Sequence, residues 1–515
     1  MVRRLYRGRG LHAPTAPAGS DSILSVDGVI QWVGLYADAP VADERFDLDG
    51  VLLPGLIDSH AHLTGLGMSL RQVDLSPSDS LEAALSLLSN DQGSGWLLSR
   101  GWDHHRWGLG RYPNCQDLDR ITGNRPASIT RVDGHCIWVN SEALRQAGIS
   151  STTEDPPGGR ILRDEGGQPS GILIDEAMTL VRRMIPKPDA NERRIRTLTA
   201  QRQCHRWGLT GMHDCGSQIA TIAVWRQMEA AGELRLRIHS FLDGIVEDED
   251  AILAAGCSES PFVKVHGVKL FADGALGSRG AWLLAPYCDA KDERGIQIVH
   301  GDELRRRVGV FGAAGFQLAV HAIGDAAARD VVDAFTAFLQ PGNDRRFRME
   351  HSQIVHPVDR ERMAKYGIFA PVQPIHATSD MTWAEAMLGP QRMAYAYAWS
   401  DLIDQGIAVS LGSDFPVEDG CPLAGIHAAC TRQNSEGWPR GGWYPEQRLR
   451  PEQALLGYTH WAARAGFDEA RFGRLEPGFA ADLTLLDRSP LDVPIGSLAE
   501  LKSQGVVVAG TLIDT

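Results

Sequence analysis

Two histidines one residue apart close the apolar run Pro54-Gly-Leu-Ile-Asp-Ser-His60-Ala-His62. Alternate side chains of an extended strand share a face, so His60 and His62 project together and can chelate one cation. Taken alone, a His-x-His pair reads equally well as a strand end facing solvent. Four later apolar runs also carry a potential ligand at or near the carboxyl end: Lys269 in 265–271, His321 in 316–321, His351 in 347–351 and Asp414 in 407–414. Imidazole and carboxylate donors suit zinc, and three or four of them around an open position define a catalytic site. A cation so held makes hydroxide available near neutral pH and polarises a carbonyl, which serves hydrolysis of an amide or related C–N bond. Asp414 is placed to ligate the metal, to take the proton of the attacking water and to deliver it to the leaving amine.

The elements that must position these residues follow a regular alternation. Strand-like runs at 56–62, 209–214, 236–242, 265–271, 316–321, 347–351, 368–373 and 407–414 are separated by helical patterns such as 324–339 and 357–365. Short apolar strands alternating with helices indicate a parallel sheet. Eight of them predict an α/β fold, a (β/α)8 TIM barrel, whose active site forms at the carboxyl ends of the strands. The barrel is assigned to residues 54–464. A hairpin signal at 23–33 with Asp27-Gly28 at its turn, and strand-like runs at 481–486 and 506–513, lie outside it. A few short strands bury little alone, so residues 1–53 and 465–515 are expected to pair into one composite β-domain, a small β-sandwich. Between strands one and two lie roughly 145 residues, far beyond an ordinary βα connection, so 63–208 is read as a structured insertion. Because it leaves and re-enters at the catalytic face, it is expected to cover the metal site. Trp102, Trp107 and Trp138 within it are candidates for an aromatic pocket wall, with ordinary core packing as the alternative.

The ligand order His-x-His, Lys, His, His, Asp resembles the metal-dependent amidohydrolase superfamily. Longer segments narrow the likeness: Val268-Lys269-Leu-Phe-Ala-Asp-Gly-Ala-Leu-Gly-Ser-Arg279, His321-Ala-Ile-Gly-Asp325, Glu350-His351, Gly412-Ser-Asp414-Phe-Pro, and Arg131-Val-Asp-Gly-His135 followed by Asn140-Ser-Glu-Ala-Leu144. These resemble the amidohydrolase 3 branch, which includes N-substituted formamide deformylases and YtcJ-like members. The resemblance implies Zn2+, one or two per chain, held by His60, His62, Lys269, His321, His351 and Asp414. An ammonium has donors and no acceptor, so Lys269 cannot ligate as it stands. The resemblance implies its carboxylation, which supplies oxygens able to bridge two metals; the alternative is an ion pair with Asp273 or with a substrate carboxylate. Glu176 is a weaker substitute ligand. The resemblance also implies substrate contacts at His135 and Arg279, with a structural role for His135 as the alternative. His376, following strand seven, is expected to contact substrate, and His213, ending strand two, either packs or supports a ligand from behind.

Composition bounds the rest. The chain of 515 residues exceeds a single core, and its 43% hydrophobic and 23% charged residues are ordinary for a globular protein. A net charge of -14 lacks the basic footprint of a nucleic-acid binder. No apolar h-region follows the basic first residues, and no run reaches a membrane span, so a cytoplasmic protein without nucleic-acid or membrane partners is expected. The eight cysteines show no paired spacing and read as free thiols in a reducing compartment. A homodimer is the default assembly. The sequence therefore predicts a hydrolase of a small-molecule, non-peptide N-acyl or N-formyl amide. A deaminase or cyclic-amide hydrolase on the same site is the alternative within enzymes, and a non-catalytic ligand-binding or regulatory protein the alternative outside them. All six expected ligand positions are filled, which weighs against the last.

Overall fold

The structure, a computed structural model, describes every residue except 14, 92, 94, 133, 135, 514 and 515. Strands β1 (Leu56–Ala61), β2 (Leu209–Ser217), β3 (Arg237–Asp243), β4 (Val263–Phe271), β5 (Gln317–Ala322) and β6 (Arg348–His351) are hydrogen-bonded in that order, each parallel to the next. Strands β7 (Ala370–Val372) and β8 (Val409–Leu411) form a parallel pair of their own. Single bonds complete the circuit: a parallel bridge joins Arg348 to Phe369, Asp414 N–H donates to the His60 carbonyl at 2.7 Å, and His62 N–H donates to the Phe415 carbonyl at 2.9 Å. The result is the expected barrel. Its strands are nearly unbroken apolar runs because helices cover their outer faces and side chains fill the interior. Helix Asp325–Phe338, for example, buries Ala327, Val331 and Phe335 at helical spacing. Helix Pro357–Tyr366 starts with proline at its first turn, where no N–H is needed, and stops at Gly367 in the left-handed region.

Both chain ends contribute to a pair of sheets. One contains Val29–Gly34, Ser22–Val26, Arg3–Arg7 and Glu44–Asp47; the other contains Gly10–Leu11, Val51–Pro54, Leu483–Leu486, Ser503–Val508 and Thr511–Ile513. Tyr6, Ile23, Ile30, Leu52, Leu483 and Val507 form their shared core. The first hairpin turns on Asp27 and Gly28, with φ of 49° and 81°, the consecutive positive values that a tight hairpin needs. A second such turn, at Ala509 and Gly510 with φ of 50° and 70°, folds the run 506–513 back on itself, so it is two short strands rather than one.

Residues 67–192 form a separate compact unit. This is narrower than the 63–208 insertion read from the sequence, because helix Ala190–Arg206 buries Ala200 and Cys204 in the barrel core while Arg193 donates to Thr221 Oγ1 and to Gln218 Oε1. The unit is built on a six-stranded sheet ordered Gly159–Arg163, Pro169–Asp175, Cys136–Val139, Ala127–Arg131, Leu97–Trp102, Val73–Asp74. Among the described residues no helix is long and apolar enough to cross a membrane.

Thr484 ties the composite sheet to the barrel. Its Oγ1 accepts the Leu56 N–H at 3.0 Å and donates to the Gly208 carbonyl at 2.7 Å, at the starts of β1 and β2. Replacing the hydroxyl by a methyl in Thr484→Val preserves shape and orphans both backbone groups, at about 1–3 kcal/mol each. The expected outcome is a clear fall in melting temperature with metal content unchanged; a variant as stable as the parent would show that the two bonds contribute nothing.

Candidate metal centre

The carboxyl ends of the barrel strands bring together most of the residues singled out above. Asp414 follows β8, and its Oδ1 lies 3.0 Å from His62 Nε2 and 3.6 Å from His60 Nε2. Its Oδ2 lies 3.8 Å from Nε2 of His376, on the first turn of helix Pro374–Asp380 directly after β7. One ligand atom from each of His60, His62 and Asp414 lies within 4.8 Å of the others, and the same holds for His351, His376 and Asp414. The His321 ring meets that of His351 at 4.4 Å, while its Nε2 turns toward the Gly274 carbonyl at 3.5 Å and Asp273 Oδ1 at 3.4 Å. Asp414 and His351 hold positive φ of 63° and 71°, a strained conformation for residues with a Cβ, which aims their side chains off the ends of their strands.

Lys269 is fully buried, and its Nζ, 5.0 Å from the Phe271 ring, makes no hydrogen bond or ion pair among the described residues. It does not pair with Asp273, whose carboxylate accepts the N–H groups of Trp282, Ile323 and Gly324 instead. An orphaned buried amine beside imidazoles and a carboxylate is costly as it stands. The same surroundings suit a divalent cation: nitrogen and oxygen donors converge, and Asp414 Oδ1 is buried without a hydrogen bond.

A second tier fixes these donors. His60 Nδ1 faces Glu350 Oε2 at 2.5 Å, which makes Nδ1 the protonated nitrogen and leaves Nε2 free toward Asp414. His351 Nδ1 likewise meets the Gln373 amide oxygen at 2.8 Å. Glu350 is held in turn by Arg348, whose Nε donates at 2.6 Å and Nη2 at 3.2 Å; the guanidinium also donates to the Ser59 carbonyl and to His213 Nδ1. On the other side of His60, Asp58 accepts the His60 N–H, the Ser413 N–H and the Ser413 hydroxyl.

Electrostatics follow from this packing. Burial would raise Asp414, but the His60 and His62 imidazoles hold it well below the usual carboxylate range. Burial likewise opposes ionisation of Glu350, and Arg348 with His60 overcomes it and keeps the group charged. Burial first, then the Lys269 ammonium, pushes His60 down to about 4 and His321 down to about 3. Burial raises both Asp58 and Asp273 to about 7.

Trp102 is fully buried in the core of the 67–192 unit beside Trp107 and Trp138, its indole N–H donating to the Ile129 carbonyl at 2.9 Å. Arg279 is half-buried and pairs with Asp289 at 2.8 Å. Glu176 begins a short 3-10 turn in the same unit as Trp102. His135 lies outside the described residues. The sequence reading missed Arg348, Asp58 and Ser413, and took Glu350 only as part of a motif. The signal was present as charges at alternate positions, 348 and 350, inside an apolar strand.

Residues 45–514 match the family Amidohydro_3, described as the amidohydrolase family. The chain is 33% identical over 511 residues to the amidohydrolase YtcJ of Bacillus subtilis, covering 96% of each. It is 28% identical to the N-substituted formamide deformylase of Arthrobacter pascens, covering 92% of this chain and 90% of that one. An uncharacterised metal-dependent hydrolase from Pyrococcus horikoshii superposes with a TM-score of 0.82 at 25% identity, covering 96% of this chain and 99% of the other.

Two outcomes are expected from the geometry. Arg348→Met strands the buried Glu350 carboxylate and should destabilise the fold by roughly 3–5 kcal/mol, read by denaturant unfolding; a neutral effect would mean that water reaches Glu350. In chelated protein the folded imidazoles of His60 and His321 stay neutral while those of the unfolded chain protonate below 6.5. At these two sites the unfolded chain then binds more protons, so the stability they contribute should fall as pH drops from 6.5 toward 4 and be constant above 6.5. Asp58 and Asp273, raised to about 7, act with the opposite sign over that window, so the check is a difference: the acid-side loss should be smaller in His321→Asn than in the parent, and equal losses in the two contradict the assignment.

Proposed function

This chain belongs to the amidohydrolase family and is similar in structure to an uncharacterised metal-dependent hydrolase, and we propose that it hydrolyses a non-peptide C–N bond, an N-formyl or N-acyl amide of a small molecule. The observation that carries the reading is the convergence of His60, His62, His351 and His376 around Asp414 beside a buried Lys269 whose Nζ makes no hydrogen bond among the described residues. The deformylase relative supports the choice of bond, since its name places its chemistry on substituted formamides.

His60, His62, His321, His351 and Asp414, with Lys269 as its carbamate, would hold one or two zinc ions. Such a cation, when bound, supplies Lewis-acid chemistry, polarising the substrate carbonyl and making hydroxide available near neutral pH. The chain's own residues do the rest. Glu350 keeps the proton of His60 on Nδ1, so that Nε2 presents a lone pair. Gln373 does the same for His351. Asp414, kept ionised by the imidazoles, accepts the proton of the attacking water and returns it to the amine nitrogen as the C–N bond breaks. Carboxylation of Lys269 turns an orphaned donor into an oxygen acceptor and removes its positive charge from beside His60 and His321.

Metal content per chain, measured on protein purified without chelators, is the first test: one or two equivalents of a divalent ion are expected. No metal after incubation with zinc and bicarbonate would favour a non-catalytic ligand-binding protein. With an amide substrate in hand from a panel of N-formyl and N-acyl amines, Asp414→Asn should lower turnover by about 10²–10⁴ while the melting temperature holds. Full activity in that variant would remove Asp414 from the proton path.

A further inference from the structure

His376 stands apart from the residues that the strand-end pattern selects. It lies on a helix rather than a strand, and the sequence alone marks it only as a substrate contact. Its Nε2 is buried and makes no hydrogen bond, and it points at Asp414 Oδ2 from 3.8 Å. Its ring lies nearly parallel to that of His351, 21° apart with centroids at 5.9 Å. His351 has its Nδ1 engaged by Gln373, so Nε2 is its available donor. His351, His376 and Asp414 therefore offer one ligand atom each within a 4.8 Å span. The set His60, His62 and Asp414 does the same, but there the imidazoles approach Asp414 Oδ1. Oδ1 faces His60 and His62 while Oδ2 faces His376, and a carboxylate has lone pairs enough to serve both sides.

We propose that His376 is a cation ligand: with His351 and Oδ2 of Asp414 it forms a second divalent-cation site beside that of His60, His62 and Asp414 Oδ1. The inference rests on the reading that this cluster binds divalent cations and adds to it a donor from the β7 turn. A histidine that only touches substrate has no need to match its ring to His351 or to share a carboxylate with two other imidazoles. The second site draws on helix Pro374–Asp380 for a ligand, so occupancy of that site and the position of the helix are coupled.

The test is titration of chelated full-length protein with Co2+ alone, followed by absorption and by metal analysis after desalting. Wild type should take two equivalents. His376→Asn should keep the first and weaken the second by more than about 100-fold, since even partners behind a ligand are worth 10–100-fold in affinity. His376→Cys should restore the second equivalent and add a sulfur-to-cobalt charge-transfer band, placing residue 376 on the ion; this variant also serves if His376→Asn does not fold. Two equivalents bound by His376→Asn at wild-type affinity, a single equivalent in wild type, or recovery in His376→Cys without the new band would each overturn the proposal. Only a complete failure of wild type to bind cation would overturn the functional reading as well.

Discussion

The buried chain of charge from Arg348 through Glu350 to His60 is the constraint on which the site depends. Removing a guanidinium and a carboxylate from water costs several kcal/mol per ion, and only full pairing offsets it. The structure meets that condition. Glu350 accepts from Arg348 through both oxygens and from His60, while Arg348 uses its remaining donors on the Ser59 carbonyl and His213 Nδ1 and lies 4.6 Å from the Phe241 ring centroid. These partners sit on β1, β2, β3 and β6, so the network braces the barrel across its interior. It also decides which nitrogen of His60 is free. A carboxylate behind a histidine fixes the ring and raises its basicity as a ligand.

The opposite side of His60 is held differently. No regular ladder joins β8 to β1; the join consists of Asp414 N–H on the His60 carbonyl, His62 N–H on the Phe415 carbonyl, and Asp58 receiving both the amide and the hydroxyl of Ser413. This irregular join frees the backbone at Asp414 to enter the left-handed region, which a continuous strand would forbid. The proposed base is therefore placed by a defect in the sheet, and Asp58 and Ser413 hold that defect in one conformation. Glycine at 412 is required there: a Cβ would come within 2.6 Å of the His60 nitrogen.

Much of this was legible in the sequence, and what was not has a common cause. All eight strand runs appear in the barrel because each carries its signal locally, as an apolar run with a polar end. The Asp27-Gly28 turn was legible for the same reason. Glu350 and Arg348 were not, since a charged pair in a strand has meaning only through partners such as His60, 290 positions away. The compact unit is narrower than the 63–208 connection, and the sequence does not mark its edge, because the pattern of Ala190–Arg206 does not say which body the helix packs on. For Trp102 the sequence leaves pocket wall and core packing open, and its indole fills the core of its own unit.

The composite sheet has a consequence for how the chain comes to be folded. Strand Val51–Pro54 runs almost directly into β1, and its antiparallel partner is Leu483–Leu486; the bond from Leu56 to Thr484 spans 428 positions. At ribosomal rates of about 5–20 residues per second, the first barrel strand waits roughly 20–90 s for that partner to be synthesised. Until then, the edge of Val51–Pro54 that Leu483–Leu486 will cover is open to other chains. An uncovered strand edge is a template for pairing with another chain, so that interval is one of exposure to aggregation.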